Sequence, residues 1–322
     1  MATIGIIANP AAGKDVRRLL GHGLTVDNQE KVRVVRRVIL GARAVGCRKV
    51  LIMPDTYGTA QRALAGLDDG DGVTVLDQPV TDRDSDTLAA ARAFRERGIA
   101  AVIALGGDGT ARLVAKAAPD LPLLALSTGT NNVLPSFIEG TVAGMAAGLL
   151  ALHPQLRSEG VISRPGLVVC VDGVEADRAL VDVACLRGTA LGSKAVWDWR
   201  PLQRVAAVWP RADVTGLSGL VGALYPDAPL AAWVEVGAGP KVTVALAPGL
   251  LESVPVTAGG IMEAGVPIAL GEAPAVVALD GERTLAARRG PVEVEVRPDC
   301  ASLVDTARTM AAAARAGLLQ ER

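Results

Sequence analysis

The first 130 residues alternate short apolar runs with amphipathic stretches, and this alternation restricts the fold more than any other feature of the sequence. Ile4–Ala8, Lys49–Met53 and Ala100–Leu105 are strand-like runs, while Asn28–Val45 carries apolar residues at helical spacing. Continuous apolar strands separated by helices indicate a parallel sheet that is covered on both faces. We therefore predict an α/β, Rossmann-like domain at the N-terminus.

The pattern changes after about residue 160, where short β-like runs punctuated by proline and glycine replace the helices. Leu167–Val171, Thr243–Leu246, Val276–Asp280 and Val292–Val296 are such runs. We predict that this region is a second, all-β domain with antiparallel strands.

A helical pattern returns at Ala301–Gly317, with Leu303, Ala307, Met310 and Ala314 on one face. A single helix must bury that face against something, and the first domain is the simplest partner. The predicted division is an α/β domain over residues 1–138, a connecting helix and linker over 139–160, an all-β domain over 161–299, and a C-terminal helix within 300–322 that packs back on the first domain.

Composition limits the classes of function. Lys plus Arg number 33 and Asp plus Glu number 34, so no overall basic field favours nucleic acid or membrane as a partner. The four cysteines show no CxxC spacing and there are two histidines, which argues against a structural zinc site, so we predict no metal held by the protein itself. The longest apolar helical run, Thr141–Leu152, falls short of the ~18–20 residues that span a bilayer. We expect a soluble, cytoplasmic protein.

The strongest chemical signal is Gly-Gly-Asp-Gly-Thr at 106–110, between the strand Ala100–Leu105 and a helix-like stretch, Ala111–Ala118. Open parallel sheets bind ligands at the carboxyl ends of their strands. Glycines let the backbone approach a triphosphate, and free amides at the start of a helix point at the anion. Asp108 would repel phosphate unless it takes a proton from an attacking hydroxyl or shares a Mg²⁺. The alternative is a tight turn in which Asp108 only caps the helix.

Two more polar loops follow strands of the same predicted sheet. Ser-Thr-Gly-Thr-Asn-Asn at 127–132 follows the apolar run Leu123–Leu126, and Asn9-Pro10 ends the first strand. Arg112 and Lys116 share a helical face and could reach phosphate or simply be solvated. The candidate nucleotide- and phosphate-binding residues are Asn9, Gly106, Gly107, Gly109, Thr110, Arg112, Thr128, Gly129, Thr130, Asn131 and Asn132.

In this order and spacing, Asn9-Pro10, the 106–110 loop and the 128–132 loop resemble the superfamily of NAD kinases, diacylglycerol kinases and sphingosine kinases. The match is nearest to the ATP-NAD-kinase-like branch named for acetoin catabolism protein X. Asp86-Thr87 and the run Val133-Leu134-Pro135 add to it. The resemblance covers the first 150 residues well and the β-rich region loosely.

The resemblance implies an ATP-dependent kinase with Mg²⁺ held mainly by the phosphates. Asp108 would deprotonate the ribose 2′-hydroxyl of NAD, which then attacks the γ-phosphate and gives NADP. The loop at 106–110 would hold the phosphates, and the loop at 128–132 would contact the dinucleotide. Proteins of this superfamily are commonly oligomeric, so we expect a homodimer.

Two departures from the NAD-kinase pattern leave the acceptor open. Where NAD kinases carry Asn-Glu, this chain has Val181-Asp182, so that Asp182 replaces the glutamate and the asparagine is lost. Asp280-Gly281-Glu282, which on its own is typical of a hairpin turn, is more similar to the lipid-kinase pattern. Asp182, Asp280 and Glu282 are therefore candidate substrate-binding residues. The alternatives to NAD are a small diol, a nucleoside-like metabolite or a lipid as acceptor, or a nucleotide-sensing regulator without catalysis.

Overall fold

The structure is a computed structural model that describes residues 2–10, 12, 26–65, 67, 71–129, 132–189 and 195–320. Helices and strands alternate in its first half. In chain order they are β1 (Thr3–Ala8), α1 (Asn28–Ala44), β2 (Lys49–Ile52), α2 (Thr59–Leu64), β3 (Val73–Val75), α3 (Asp84–Glu96), β4 (Ala101–Gly106), α4 (Asp108–Ala117), β5 (Leu123–Ser127) and α5 (Gly140–Leu152).

The second half is mainly β-structure. After a 3₁₀ turn (Pro154–Leu156) and the short α6 (Arg157–Gly160) come β6 (Val161–Val171), β7 (Val174–Ala179), β8 (Asp182–Arg187), β9 (Leu202–Val208), α7 (Leu217–Gly222), β10 (Ala231–Ala247), β11 (Leu250–Met262), β12 (Ile268–Glu272), β13 (Ala275–Leu279), β14 (Glu282–Ala287), β15 (Pro291–Val304) and α8 (Thr306–Arg315).

The first five strands form a parallel sheet in the order β3-β2-β1-β4-β5. Ile4 and Ile6 of β1 are fully buried toward α1 and α5, and Ile7 is fully buried in a separate cluster with residues of α3 and α4. Burial on both faces explains why these strands are apolar throughout. The predicted α/β class is confirmed.

The same sheet continues beyond β5 through β15 to β6 and β7, because β15 pairs with β5 at Leu303↔Leu123 and with β6 along most of its length. A second, antiparallel sheet has the order β11-β10-β9-β8-β13-β14. The predicted all-β region is therefore confirmed as a class. The residue boundaries at 138 and 160 stay a prediction. Across the helices that the structure describes, none is both long and apolar enough to cross a membrane.

The C-terminal helix packs back on the first domain, as predicted, but its predicted limits and face were wrong. Residues 301–304 belong to β15, and the helix begins at Thr306 with the Asp305 side chain accepting a hydrogen bond from the Arg308 amide. The buried face consists of Thr309, Ala312 and Ala313, whereas Ala307 and Ala314 are exposed. The helix starts later because residues 301–304 pair with β6 as a strand, and its contacts with α5 and α6 bury a different face from the one that the apolar spacing indicated.

The long strands β10 and β11 were largely missed, since Thr243–Leu246 covers only part of β10. Gly237, Gly239 and Pro240 interrupt the apolar alternation of that strand. The register between β10 and β11 shifts between Val236 and Lys241, so these residues form an irregular bulge within a continuous hairpin.

Candidate active site

The strand order reverses between β1 and β4, so the carboxyl ends of these two strands lie side by side at the switch point of the sheet. Asn9 follows β1, and its amide donates to the Leu105 carbonyl at 3.1 Å. The Asn9 side chain donates from Nδ2 to Thr110 Oγ1 at 3.1 Å. Two of the three predicted loops are thus in direct contact at the site where open α/β sheets bind ligands.

The glycines of the 106–110 loop have different surroundings. A Cβ on Gly106 would lie 2.4 Å from Thr110 Oγ1, and one on Gly107 would lie 2.8 Å from Asn132 Oδ1. Among the described residues, a Cβ on Gly109 would meet nothing nearer than Glu282 Oε2 at 3.9 Å. Gly106 and Gly107 are therefore required by the packing of the loops, whereas Gly109 leaves a gap in front of Glu282.

The N-terminus of α4 opens onto this gap. Gly107 is the N-cap with an extended backbone, and within the described residues no side chain caps the helix. The first-turn amides at 108–110 have no acceptor inside the helix, and together with the helix dipole they favour an anion. The loop therefore presents the first-turn amides of α4 at the switch point, and phosphate binding there stays a prediction.

Asp108 does not cap its own helix. Its carboxylate accepts hydrogen bonds from the amides of Val133, at 3.0 Å to Oδ2, and Leu134, at 2.8 Å to Oδ1. These amides belong to the segment that follows the 128–132 loop, so Asp108 joins the ends of β4 and β5. The side chain is 9% exposed, and its orientation is set by the neighbouring loop.

The 128–132 loop is closed on itself where the structure describes it. Asn132 Nδ2 donates to Ser127 Oγ at 2.8 Å, and the Thr128 amide donates to the Gly106 carbonyl at 3.3 Å. Thr128 and Gly129 are buried. The other two candidates in this loop, Thr130 and Asn131, lie outside the described residues.

Arg112, a candidate for phosphate contact, lies beside two carboxylates in this structure. Its side chain is 6% exposed, with Nη1 at 3.3 Å from Asp177 Oδ2 and Nε at 3.6 Å from Asp280 Oδ2. Lys116, one turn later, donates to Asp177 Oδ1 at 2.7 Å. Because two carboxylates of the β-rich half occupy the guanidinium, Arg112 links the two halves of the molecule instead of facing the gap.

Asp280 and Asp182, the predicted substrate-binding carboxylates, are both engaged by backbone amides in this structure. Asp280 Oδ1 accepts from the amides of Leu180 at 3.0 Å and Val181 at 2.8 Å. Asp182 Oδ1 accepts from the Gly281 amide at 3.0 Å. Both side chains are buried, and they hold the predicted hairpin turn between β13 and β14 against residues 180–182.

Burial raises the pKa of Asp280 from 3.8 to about 8. The Arg112 guanidinium opposes this shift, while the charges of Asp182 and Asp108 add to it. Glu282, two residues further, is the one candidate carboxylate of this turn that is partly exposed, and it faces Gly109. The turn thus places a single accessible carboxylate opposite the phosphate loop.

Sequence reasoning missed two buried cations. Lys31 of α1 is 1% exposed and bonded to the segment after β1. Arg164 lies 4.4 Å from the ring of Trp209 and donates to the Leu180 carbonyl at 3.1 Å, and burial lowers the pKa of its guanidinium to about 10. In the sequence each sits beside polar or charged residues, as a solvated lysine or arginine does, so no local signal distinguished them.

A groove continues from the switch point along the ends of β1 and β2 to the start of α3. Of the residues that the structure describes, one basic and four acidic side chains line it, together with apolar and polar groups. Its lining residues are Asn9, Pro10, Met53, Pro54, Asp55, Asp82, Arg83, Asp84, Asp86 and Thr87.

Comparison with known proteins agrees with this layout. Residues 4–153 match the profile of the ATP-NAD kinase N-terminal domain, and residues 166–299 match that of the acetoin catabolism protein X C-terminal domain. A solved diacylglycerol kinase structure from Bacillus anthracis str. Sterne is 12% identical, with a TM-score of 0.43 over 95% of this chain and 98% of that one. Acetoin catabolism protein X of Cupriavidus necator is 36% identical over 303 residues, which cover 88% of this chain and 84% of that protein. The resemblance inferred from the motifs is confirmed: the chain belongs to the acetoin catabolism protein X family and has an N-terminal domain of the ATP-NAD kinase type.

Proposed function

We propose that the protein is an ATP-dependent kinase that transfers the γ-phosphate to a hydroxyl group of a small molecule. The observation that carries this proposal is the meeting, at the β1/β4 switch point, of an uncapped helix N-terminus, the gap at Gly109 and the carboxylates of Asp108 and Glu282. The match of residues 4–153 to the ATP-NAD kinase N-terminal domain supports it independently.

The phosphates of ATP fit the loop at 106–110, because backbone amides supply the donors and Gly109 leaves the space. Mg²⁺ bound to those phosphates would neutralise the charge that builds up during transfer. Within the described part of the chain, the adjoining groove carries Asp55, Asp82, Asp84 and Asp86 against one arginine, Arg83. Such a groove repels phosphate, so the nucleoside part of the donor is the part that would lie along it.

In the proposed reaction, the acceptor oxygen forms a bond to the γ-phosphorus while the bond to the ADP oxygen breaks. The hydroxyl proton passes to a carboxylate of the protein. Asp108 is the proposed acceptor of that proton, since two backbone amides orient its carboxylate at the mouth of the phosphate loop. Glu282 lies on the facing wall, where it can contact the acceptor molecule.

NAD is the first acceptor to test, with its ribose 2′-hydroxyl as the nucleophile. A second candidate is a small hydroxyketone or diol. The burial of Asp182 and Asp280 favours this candidate. Two of the three carboxylates that were predicted for substrate binding are bonded to backbone amides, which leaves Glu282 of the three to contact the acceptor. The name of the Cupriavidus relative, acetoin catabolism protein X, suggests acetoin as the first compound of this class.

The test is ADP release, measured with the purified protein, Mg·ATP and one acceptor at a time: NAD, acetoin, 2,3-butanediol, or none. The proposal predicts ADP formation well above the acceptor-free rate with at least one hydroxyl compound, and phosphorylated product by mass spectrometry. ATP binding by calorimetry without acceptor-dependent ADP formation would instead favour a nucleotide-sensing regulator. Absence of ATP binding would reject both.

A further inference from the structure

Lys31 occupies an oxygen-lined site in the first turn of α1. Its side chain is 1% exposed. Nζ donates to the carbonyl oxygens of Asn9 and Ala12, each at 2.8 Å, and to Asn28 Oδ1 at 3.1 Å, with the Pro10 carbonyl at 3.4 Å. Three of these four oxygens belong to the backbone of the segment that follows β1.

A buried ammonium needs an explanation beyond packing. Removing such a group from water is unfavourable by several kcal/mol unless oxygen acceptors replace its hydration. A methionine of similar length would fill the same volume without that penalty. The three N–H donors of Lys31 instead gather several carbonyls of one short segment, which determines the path of the backbone there.

The segment held by Lys31 is directly connected to the phosphate loop. The Asn9 amide donates to the Leu105 carbonyl of β4, and the Asn9 carbonyl accepts from Lys31. With its backbone bonded on both sides, Asn9 directs Nδ2 to Thr110 Oγ1. Thr110 in turn packs over Gly106, where a Cβ would lie 2.4 Å from its hydroxyl. A continuous series of contacts thus runs from α1 to the loop at 106–110.

We propose that Lys31 is a positioning residue, which holds the turn after β1 so that Asn9 supports the phosphate loop in the conformation that binds the donor nucleotide. The inference rests on the proposed kinase function and adds a determinant of donor affinity. Asp108 is oriented separately, by Val133 and Leu134. Loss of Lys31 should therefore weaken donor binding more than it slows the transfer step.

The first experiment compares Lys31→Met with wild type under saturating acceptor. Charge-assisted hydrogen bonds contribute enough that we expect the KM for ATP to rise about tenfold or more. We expect kcat to change by less than about threefold, because the catalytic carboxylate keeps its own hydrogen bonds. The matched control is Arg33→Met on the same helix, whose side chain is 62% exposed and which should leave both constants unchanged.

Two further variants separate positioning from general loss of structure. Asn28→Ala removes one acceptor of Lys31 and should raise the KM for ATP in the same direction by a smaller factor. If Lys31 acts through Asn9 and Thr110, the Lys31→Met effect should shrink to about twofold in a Thr110→Val background. If Lys31→Met does not fold, Asn28→Ala alone and in the Thr110→Val background provides the same comparison.

The inference is overturned if the KM for ATP is unchanged in Lys31→Met, or in Asn28→Ala where only that variant folds. It is also overturned if kcat falls with the KM unaltered, or if the effect of the tested variant persists in full in Thr110→Val. Each of these results leaves the kinase proposal intact, because wild type still turns over. A wild-type protein that neither binds ATP nor forms ADP rejects the proposed function itself.

Discussion

The three glycines of the loop at 106–110 have different neighbours, and these neighbours predict different outcomes for the same change to alanine. Gly106 is in contact with Thr110 of the same loop, and Gly107 with Asn132 of the 128–132 loop, so an added methyl group would distort the first loop at Gly106 and push the two loops apart at Gly107. Gly109 has no such neighbour within the described part of the chain, where Glu282 Oε2 is the nearest atom to an added Cβ, at 3.9 Å. A sequence motif alone cannot make this distinction, because all three positions read simply as glycine.

Gly109→Ala should therefore keep the fold while it impairs nucleotide binding. We expect the free energy of unfolding to change by less than about 0.5 kcal/mol, as for a surface substitution, and the affinity for ATP to fall about tenfold or more, because the new methyl group enters the space proposed for phosphate. Gly106→Ala is the contrasting variant and should lower the free energy of unfolding by about 1–3 kcal/mol. Chemical denaturation and calorimetry check both; an equal loss of stability in the two variants would contradict the assignment of the gap.

The site residues that could be predicted are those whose role lies in the backbone of a strand-end loop. Asn9 and the 106–110 loop lie in contact, as their positions after strands predicted, because a parallel sheet brings all strand carboxyl ends to one edge; their part in phosphate binding stays a prediction. The partners that Arg112 and Asp280 have in the structure were not predicted, because they come from distant parts of the chain. Their side chains interact with buried groups of the protein. The sequence alone does not show whether a charged residue contacts solvent, a ligand or another buried charge.

At the scale of elements, the β13–β14 turn depends on the protonation of Asp280. Burial raises the pKa of this carboxyl from 3.8 to about 8, so the folded protein retains a proton that the unfolded chain releases. The folded state then binds more protons than the unfolded state between these two values. Stability from this group is full below about pH 4 and is lost as the pH rises towards 8.

Asp280→Asn tests this, because the asparagine keeps an acceptor oxygen for the amides of Leu180 and Val181 but cannot ionise. The difference in free energy of unfolding, wild type minus variant, should fall between pH 4 and 8 by as much as about 1.4 kcal/mol per pH unit. Urea denaturation at several pH values measures it. If the free energies of unfolding of wild type and Asp280→Asn change with pH in parallel over this range, Asp280 is ionised in the folded protein throughout.

Helix α4 carries the phosphate loop at one end and is linked to the β-rich half along its side. Above about pH 8, where Asp280 is ionised, Arg112→Met leaves this carboxylate buried without its cation and Asp177 with only Lys116, so we expect a loss of about 3 kcal/mol or more in the free energy of unfolding at about pH 9. Lys116→Met removes a cation from the same partner at a side chain that is 39% exposed, and should cost about 1 kcal/mol or less. Similar losses in the free energy of unfolding in both variants would show that the buried ion pairs of Arg112 stabilise the protein no more than the exposed one of Lys116.

For the whole molecule, the decisive element is β15. It continues the parallel sheet of the first half into the strands of the second, and α8 follows it onto α5. The alternation of apolar runs predicted the first half well, because strands buried on both faces have an unambiguous composition. It could not predict that one sheet runs through both halves, since that depends on a pairing between Leu303 and Leu123 that no local pattern encodes.

This continuity explains how the two halves build one site. The first half supplies the phosphate loop and Asp108, and the second supplies Glu282 from the β13–β14 turn. Arg112 fixes their separation through Asp177 and Asp280. In phosphoryl transfer the protein contributes mainly by holding the acceptor hydroxyl and the γ-phosphate in the right positions. In the proposed function, two halves fixed at a set distance would do this.

The most direct test of this account is acceptor-dependent ADP release by wild type and Asp108→Asn, with circular dichroism and ATP calorimetry on both proteins. Asparagine preserves the shape at this position but cannot accept the proton. The account predicts that the variant folds and binds ATP like wild type, while kcat falls about a hundredfold or more. A variant that turns over acceptor at near the wild-type rate would contradict the central claim that Asp108 takes the proton in phosphoryl transfer.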